Sequence, residues 1–337
     1  GSGITPEILD ILVAMLNAGV HPVVPSVGSI GAADLPQLAH LSLPLIGLGE
    51  AEYRGERLPG DEALRRAGLH PVALGPKDGI ALVSSNAASV GYGALVLWDA
   101  LAALEVATVA AGLSLEGFRG NLSPLDPRVQ AARPAPGQGE VASRLRAILE
   151  GSDLSDAGTA RSVQDPLSFR CVTQVHGAAQ AAIAFAQESV EIELNSAGDN
   201  PLVLPEDGAI LSTGNFHVPA LALGFDLLGL ALAQVASLAT GRVIQLMSPA
   251  AGGLPLFLSP YGGTRTGFAT LQKTLTALRA EIRHLANPAS LDFLPVSEGV
   301  EDHATMAPLT VRKAGEIVKG LISILAIELM VSAQAVD

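Results

Sequence analysis

The sequence is poor in the residues on which several classes of protein depend. Cys171 is the one cysteine, so no disulfide can form within the chain, and a reducing, cytoplasmic compartment is expected. No His-x-x-x-His or paired-cysteine spacing occurs, so a metal site is not expected. Basic residues number 20 against 33 acidic ones, and this balance argues against a nucleic-acid partner.

Aromatic and charged residues are also scarce, at 4% and 16%, whereas 49% of the residues are hydrophobic. A monomer cannot easily hide so much apolar surface, so we expect a large aliphatic core and extensive contacts between subunits. The stretch 219–239 is apolar enough to suggest a membrane span. Asp226 and Gln234 interrupt it, which favours a central helix of a bundle over a membrane helix.

The hydrophobic pattern is helical along most of the chain. Strand-like alternation is nearly absent, apart from a small hairpin predicted around Gly55. These features predict an all-α fold, a bundle of long central helices, in a single domain spanning residues 1–337. The predicted helices are 5–18, 35–43, 91–113, 139–149, 171–194, 218–247, 264–286 and 303–335.

The stretch "VGSIGAADLPQLAH", residues 27–40, has the glycines and the acid of a reactive loop that runs into a helix. It lacks a hydroxyl between Gly31 and Asp34, where Ala32 and Ala33 stand. Considered alone, the pattern indicates a tight turn in which Asp34 caps the following helix.

"SVQDPLSFRCVTQVHGA", residues 162–178, places Arg170 where a loop meets a helix. A guanidinium there can clamp a substrate carboxylate with two parallel hydrogen bonds, and Gln164 can donate to the same ligand. The alternative is a structural salt bridge with an acidic residue of the chain. His176, inside the helix, is interpreted as a core histidine.

Two further segments carry polar residues at turns. Asn195, Asn200 and Asn215 are amides of the kind that usually bond to local backbone, although at one cleft they could hold an anion or an amide. "SEGVEDHATMAP", residues 297–308, is predicted to be a loop that enters a helix. Glu301, Asp302 and His303 are adjacent in sequence, so they cannot share one helix face.

Together these stretches resemble the aromatic amino acid ammonia-lyase family, whose members act on histidine, phenylalanine and related amino acids. The resemblance rests on several motifs in the right order: "SGITPEILDILVAMLNAGVHPVVPSVGSIG", "ADLPQLAHLSLPLIGLGEA", "RPAPGQ", "VQDPLSFRCVTQVHGA", "ELNSAGDNPLV", "GNFH", "NPASLDFLP", "EDHATM" and "LAIELMVSAQAVD". It implies the ammonia-lyase/fumarase-like fold, a helical homotetramer and α,β-elimination of an amine. It also implies that an N-terminal segment carrying a tyrosine base, and a C-terminal tail, are missing from this sequence.

The resemblance indicates which hydroxyl is missing between Gly31 and Asp34 and what it would do. In the family, an Ala-Ser-Gly tripeptide in this loop cyclises and loses two waters, which yields the electrophilic methylidene-imidazolone. Here the slot holds Ala32-Ala33, one residue fewer, without serine or glycine. We therefore do not expect methylidene-imidazolone, unless an alanine stands for a modified residue, and we expect no other cofactor.

The resemblance also assigns site residues. The family asparagine that supports the electrophile falls on Ser84, and the tyrosine of "QDPYS" is replaced by Leu167. The positions matching the family's substrate-binding and catalytic groups are Gln164, Arg170, Asn215, Phe268 and Glu301. The carboxylate clamp therefore looks present, whereas the electrophile and its helpers look lost together.

Three functions remain open on the sequence. The first is an ammonia-lyase-like carbon–nitrogen lyase acting on an aromatic or imidazole amino acid, with its carboxylate held by Arg170. The second is a lyase that eliminates trimethylamine from a histidine-type betaine without the electrophile, because a quaternary ammonium is already a competent leaving group. The third is a non-catalytic homologue that acts as a binding or scaffold protein.

Overall fold

The structure is a computed structural model that describes all 337 residues. It is predominantly helical, and the predicted all-α class is confirmed. The α-helices are α1 (Pro6–Ala18), α2 (Leu35–Ser42), α3 (Gly60–Arg66), α4 (Asp78–Val83), α5 (Ala87–Phe118), α6 (Pro127–Ala132), α7 (Gln138–Ile148), α8 (Leu167–Arg170), α9 (Val172–Leu194), α10 (Pro219–Leu246), α11 (Pro249–Gly252), α12 (Leu271–Leu285) and α13 (Ala307–Val336).

Five short strands accompany the helices: β1 (Val20–Pro22), β2 (Glu50–Tyr53), β3 (Glu56–Pro59), β4 (Leu202–Leu204) and β5 (Ala209–Leu211). The predicted hairpin is β2–β3, in which Tyr53 pairs with Glu56 across Gly55 at φ 81°. β1 joins β2 to form an antiparallel three-stranded sheet, and β4–β5 form a separate pair. Strands of three or four residues are too short to show alternation, so the hydrophobic pattern missed the other three.

The chain divides into two compact units. The first unit comprises Gly1–Ala94, Glu188–Leu223 and Ala289–Val311. Its N-terminal part has a core in which α1 and α3 pack with the small sheet, and this core is aliphatic apart from one methionine. The buried residues of this core are Ile8, Ile11, Met15, Val20, Leu45, Ala51, Ala63 and Leu64.

The second unit comprises Leu95–Gln187, Gly224–Pro288 and Arg312–Asp337. It contains the greater part of three of the long helices, α5, α10 and α13. In its interior Arg242 of α10 pairs with Glu328 of α13 at 2.5 Å, and both side chains are fully buried. Ser114 of α5 donates to the same carboxylate at 2.8 Å, so the ion pair is hydrogen-bonded from a third helix.

Several predicted helix boundaries were wrong by more than two residues. α5 starts at Ala87 and ends at Phe118, beyond both predicted ends. α12 starts at Leu271, seven residues later than predicted, because residues 257–268 fold into a turn in which the Phe268 amide donates to the Phe257 carbonyl at 3.0 Å. By contrast, α2 ends at Ser42, within one residue of the predicted end before Pro44, and the chain continues as a 3₁₀ turn through Leu43–Ile46.

Two helical stretches, Asp78–Phe118 and Pro219–Leu246, are long and apolar enough to cross a membrane by length and composition alone. About half of the most apolar window of each, 50% and 56%, is buried within the chain. This burial is typical of central helices in a bundle.

Candidate active site

The segment Gly28–Asp34, here called the alanine turn, is held by its own serine. The Ser29 hydroxyl donates to the Ala33 carbonyl at 3.1 Å and accepts from the Gly31 amide at 3.0 Å. Gly31 and Ala33 both have left-handed backbone, with φ 80° and 61°. Alanine rarely adopts this conformation, so the surrounding contacts must hold Ala33 in place.

The segment before α13 clamps the alanine turn from one side. The Thr305 hydroxyl donates to the Gly31 carbonyl at 2.9 Å, and the Met306 amide donates to the Ile30 carbonyl at 2.8 Å. A Cβ placed on Gly31 would lie 2.3 Å from Thr305 Oγ1. Only glycine fits at this position, both for space and for φ.

The segment before α10 holds the other side of the alanine turn. Ala32 forms an isolated antiparallel bridge with His217, and the Ala33 amide donates to the Phe216 carbonyl at 3.4 Å. Asn86, beside the start of α5, donates its side-chain amide to the same carbonyl at 2.6 Å. Ala32 and Ala33 are consequently buried, with 8% and 4% of their surface exposed.

Asp34 does not cap α2, contrary to the prediction. Its carboxylate makes no cap hydrogen bond with that helix; it accepts from the Ser89 amide at 2.7 Å and from the Ser89 and Ser29 hydroxyls at 3.1 and 3.0 Å. Complete burial raises the pKa of Asp34, although these hydrogen bonds oppose the rise. Asp34 therefore ties the alanine turn to α5.

Three other predicted site residues, Ser84, Asn215 and Glu301, lie on segments that contact the alanine turn. Ser84 is buried and accepts from the Asn200 amide at 3.1 Å, and its neighbour Ser85 accepts from the Asp34 amide at 2.7 Å. Asn215 is exposed; it precedes Phe216, and its side chain donates to the Ala197 carbonyl at 3.4 Å.

Glu301, four residues before Thr305, is the third of these residues. It is half-buried, and its carboxylate accepts from the Ser297 hydroxyl at 2.8 Å. The first unit thus brings together the segments that carry Ala32, Ala33, Ser84, Asn215 and Glu301. Asn195 bonds to local backbone, as interpreted, because it donates to the Glu191 carbonyl four residues earlier. Asn200 instead accepts from the Thr213 amide, 13 residues later in the chain.

The remaining predicted residues belong to the second unit. With its amide oxygen turned toward the guanidinium, Gln164 accepts from Arg170 Nη1 at 2.7 Å and from Nη2 at 2.9 Å. No acidic residue of the chain forms a salt bridge with Arg170. The alternative prediction, a structural salt bridge at Arg170, is therefore wrong.

Arg170 and Gln164 line a cavity of about 210 Å³ together with Asn121, Ser123, Pro124, Val129, Val163 and Asp165. The nearby acid, Asp165, is engaged elsewhere, because it accepts from the Asn121 amide at 2.6 Å and the Ser162 hydroxyl at 3.1 Å. Phe268 is half-buried and lies in the turn before α12. His176 is fully buried, as interpreted, with Nδ1 hydrogen-bonded to the Thr108 hydroxyl at 3.1 Å.

The sequence profile described as "Aromatic amino acid lyase" matches residues 1–337, the whole chain. The chain belongs to the aromatic amino acid lyase family. Across all of its residues it is 44% identical to a histidine ammonia-lyase of Alkaliphilus oremlandii and spans 66% of that relative. It is 47% identical to a histidine ammonia-lyase of Anaeromyxobacter sp. and spans 68% of it. The chain thus covers about two thirds of the length of these relatives.

Among solved structures of the family, one similar protein is the ergothioneine-degrading enzyme ergothionase from Treponema denticola, in complex with desmethyl-ergothioneine sulfonic acid. The match has a TM-score of 0.94 at 36% identity and covers 99% of this chain and 67% of that one. The predicted ammonia-lyase/fumarase-like fold is thereby confirmed.

His217, which bridges to Ala32, and Asn86, which donates to the Phe216 carbonyl, are not among the predicted site residues. His217 ends the "GNFH" motif and directly precedes the predicted helix 218–247. This position was the one feature of the sequence that could have indicated a role for His217 at the site. Asn86 lies two residues beyond Ser84, and nothing in the sequence alone distinguishes it from other helix-starting amides.

Proposed function

We propose that the protein is a carbon–nitrogen lyase that carries out α,β-elimination on a betaine of an aromatic or imidazole amino acid, without a methylidene-imidazolone. The observation that carries this proposal is the alanine turn. Its two central residues have no side-chain oxygen to lose, and the Ala33 amide is engaged by the Phe216 carbonyl. The residues present do not fit the self-made electrophile of the family.

The chemistry of the leaving group connects this turn to the substrate. An amino group is a poor leaving group until it is activated, and the family electrophile supplies that activation. A trimethylammonium group carries its positive charge already. It departs as neutral trimethylamine with the electron pair of the Cα–N bond once a base takes the β-proton. A site without an electrophile is therefore suited to a betaine.

Arg170 supports the proposal from the carboxylate end of such a substrate. Both terminal nitrogens of its guanidinium face an uncharged amide oxygen, and it has no acidic partner within the chain. A substrate carboxylate would displace or join this weaker acceptor with charge-assisted, bidentate hydrogen bonds. Glu301 and Phe268 are proposed to stabilise the cationic end, by charge and by cation–π attraction.

The similarity to ergothionase also supports this choice. Ergothioneine is itself a trimethylammonium betaine of a histidine, so the ligand class of that structural relative matches the one proposed here. We propose a histidine-type betaine as the first substrate to test and a homotetramer as the active assembly.

The deciding experiment offers the full-length protein L-histidine and its Nα-trimethyl betaine side by side. Formation of the conjugated acrylate is followed by ultraviolet absorbance, and the released amine is identified by NMR. We expect the betaine to be consumed with stoichiometric trimethylamine, at a kcat/KM at least about 100-fold above that for histidine. Comparable release of ammonia from histidine would contradict the proposal.

A second candidate is an ammonia-lyase, favoured by the 44–47% identity with histidine ammonia-lyases. It requires an alanine of the turn to stand for a cyclised residue. Intact-mass measurement separates the two, because cyclisation of an encoded Ala-Ser-Gly removes two waters. A third outcome, binding through Arg170 without turnover of either substrate, would establish the non-catalytic homologue.

A further inference from the structure

The stretch that carries Gln164 is attached on both sides to one residue, Asn121, which follows the end of α5. The Asn121 backbone amide donates to Asp165 Oδ2 at 2.6 Å. Its side-chain Nδ2 donates to the Val163 carbonyl at 2.9 Å. These two hydrogen bonds fix the residues directly before and directly after Gln164, so Asn121 determines where the Gln164 side chain begins.

Asn121 has both polar atoms of its own side chain engaged. Its Oδ1 accepts from the Ser123 amide at 2.9 Å and from the Ser123 hydroxyl at 2.7 Å. These partners also fix which way the amide group points, because a backbone carbonyl only accepts and a backbone amide only donates. Asn121 lines the cavity of Arg170, but its oxygen is already occupied. This arrangement favours a role in holding the loop over direct contact with a ligand.

Asp165 is held away from Arg170, although both line the same cavity. Only 4% of its surface is exposed, and its carboxylate accepts from the Asn121 amide and, at 3.1 Å, from the Ser162 hydroxyl. It forms no salt bridge with a basic residue of the chain. Burial of a carboxylate that bonds only to neutral donors is costly. Here it keeps this acid from occupying the guanidinium that a substrate carboxylate would use.

Arg170 is fixed from the other side by helices of the same, second unit. Its neighbour Phe169 stacks on Phe118, the last residue of α5, with ring centroids 4.1 Å apart and planes at 20°. The Ser168 carbonyl accepts from Arg242 Nη1 at 3.0 Å, and Arg242 is itself held in the buried ion pair between α10 and α13. The backbone of α8 is thus anchored independently of the loop that precedes it.

We propose that Asn121 and Asp165 are positioning residues of the carboxylate clamp formed by Gln164 and Arg170. This inference rests on the proposed function, in which Arg170 holds the substrate carboxylate. With Asn121 and Asp165 in place, the Gln164 oxygen stays against Nη1 and Nη2 of Arg170 and fixes the plane of the guanidinium.

A guanidinium held in this way has donors left for a ligand. It carries five N–H groups, of which the Gln164 oxygen uses one on each terminal nitrogen, and its buried Nε has no partner. The remaining donors suit a carboxylate, which accepts them as charge-assisted hydrogen bonds. Because the guanidinium is oriented before the ligand arrives, less side-chain entropy is lost on binding, and the affinity rises.

The test measures binding of imidazole-4-propionate to the full-length protein by calorimetric titration. This probe carries the carboxylate but no amine, so it cannot undergo elimination. Asn121→Ala removes the bond to Val163, and we expect the dissociation constant of the probe to rise about tenfold. Unaltered affinity in this variant would overturn the proposal.

Asn287→Ala is the matched control for the lost hydrogen bond. Asn287 also belongs to the second unit and donates its side-chain amide to a backbone carbonyl, that of His284, at 3.0 Å. It lines no part of the cavity around Arg170. The affinity of this variant for the probe should equal that of the unmodified protein.

A second background separates positioning from a general effect on the loop. If Asn121 acts through Gln164, Asn121→Ala should change the dissociation constant by less than about twofold in a Gln164→Ala protein. In betaine turnover the loss should appear in KM with kcat nearly unchanged, because the carboxylate is held equally in the ground state and the transition state. The same loss of affinity in both backgrounds would overturn the positioning role.

Asp165 is tested by a pair of variants. Asp165→Ala removes the acceptor of the Asn121 amide and should raise the dissociation constant about tenfold. Asp165→Asn keeps a carbonyl oxygen for that amide without the charge, and its affinity should stay within about twofold of the unmodified protein. Equal losses in the two variants would overturn the role of Asp165. A loss of about tenfold in Asp165→Asn would do so by itself, even if Asp165→Ala did not fold.

Probe binding and betaine turnover distinguish this inference from the function on which it rests. Probe binding that depends on Asn121 as expected, without turnover of any betaine, would overturn the lyase proposal and leave this inference standing. Absence of probe binding by the unmodified protein would overturn the carboxylate site and this inference together, whatever the turnover.

Discussion

Arg170 is the residue whose surroundings bear most directly on what the protein binds. Its guanidinium faces the Gln164 amide at 2.7 and 2.9 Å and lines a cavity of about 210 Å³. The buried Nε of the same guanidinium has no hydrogen-bond partner. A cation that is only partly hydrogen-bonded, and to an uncharged partner, can gain substantially when a carboxylate arrives, whereas one already paired with an acid cannot.

Arg170→Met should therefore weaken binding of carboxylated substrates and products by roughly 2–3 kcal/mol, because it removes charge-assisted hydrogen bonds. Calorimetric titration with a non-reactive substrate analogue measures this loss. Arg128→Met is the matched control: Arg128 also belongs to the second unit, but its side chain is 91% exposed and pairs with Asp126. Unchanged affinity in the Arg170 variant would refute the assignment of the carboxylate site.

Glu301 lies four residues before Thr305, which holds the alanine turn, and its carboxylate accepts from the Ser297 hydroxyl. Glu301→Gln preserves shape and hydrogen bonding but removes the negative charge. We expect kcat to fall about tenfold or more if that charge acts on the cationic amine or in proton transfer. Glu298→Gln, in the same loop, should leave the rate unaltered. A full rate in the Glu301 variant would count against its catalytic role.

At the scale of elements, the alanine turn is defined by contacts from segments far apart in the chain. Gly31→Ala should lower the free energy of unfolding by about 2–4 kcal/mol, because it combines left-handed backbone with a steric clash against Thr305. Gly55→Ala is a closely matched control, with φ 81° against 80° and no atom within 4 Å of the added Cβ.

The Gly55 variant should cost about 1 kcal/mol, the backbone contribution alone. Urea unfolding of both variants gives the comparison. If the two glycine substitutions destabilised the protein equally, the tight clamp of Thr305 on Gly31 would be refuted.

Long helices were predicted from the sequence more accurately than short elements and turns. The long helices were found because an apolar pattern of many turns is unambiguous, and the β2–β3 hairpin because Gly55 marks it. The late start of α12 was missed, since the turn 257–268 is held by a backbone hydrogen bond and not by residue type. The role of Asp34 was missed for a similar reason: its partner Ser89 lies 55 residues away.

At the scale of the whole molecule, buried His176 links stability to pH. Burial, assisted by the charge of Arg242, lowers its pKa from 6.5 to about 3. The folded state therefore binds fewer protons than the unfolded state between these values. The contribution of His176 to the free energy of unfolding is therefore complete above pH 6.5 and is lost as the pH falls toward 3. Between these two pKa values the loss is about 1.4 kcal/mol for each pH unit.

Unfolding by urea at a series of pH values from 7 to 4 tests this expectation. The free energy of unfolding should decrease more steeply in the unmodified protein than in His176→Gln, which can keep a hydrogen bond to Thr108 but does not titrate. His284→Gln, on the exposed face of α12, serves as the control and should retain the steep decrease. Parallel curves for the unmodified protein and His176→Gln would rule out His176 as the source.

The exposed apolar surface of α5 bears on the predicted homotetramer. Trp98 is 75% exposed and Leu95 is 65% exposed in the single chain. Such large side chains are usually covered in an assembly. Trp98→Glu should shift the protein toward smaller species in sedimentation experiments, whereas Asp99→Asn on the same helix should not. A monomeric unmodified protein would contradict the predicted tetramer.

The sequence by itself determined the family, the helical class and the absence of a serine and a glycine between Gly31 and Asp34, because these depend on residue identity and on periodicity along the chain. The tertiary structure decided which residues surround that turn. Asp34 and its partner Ser89 are 55 residues apart, and Gly31 and its partner Thr305 are 274 residues apart. Such partnerships arise only when distant segments pack, and short-range pattern carries no information about them.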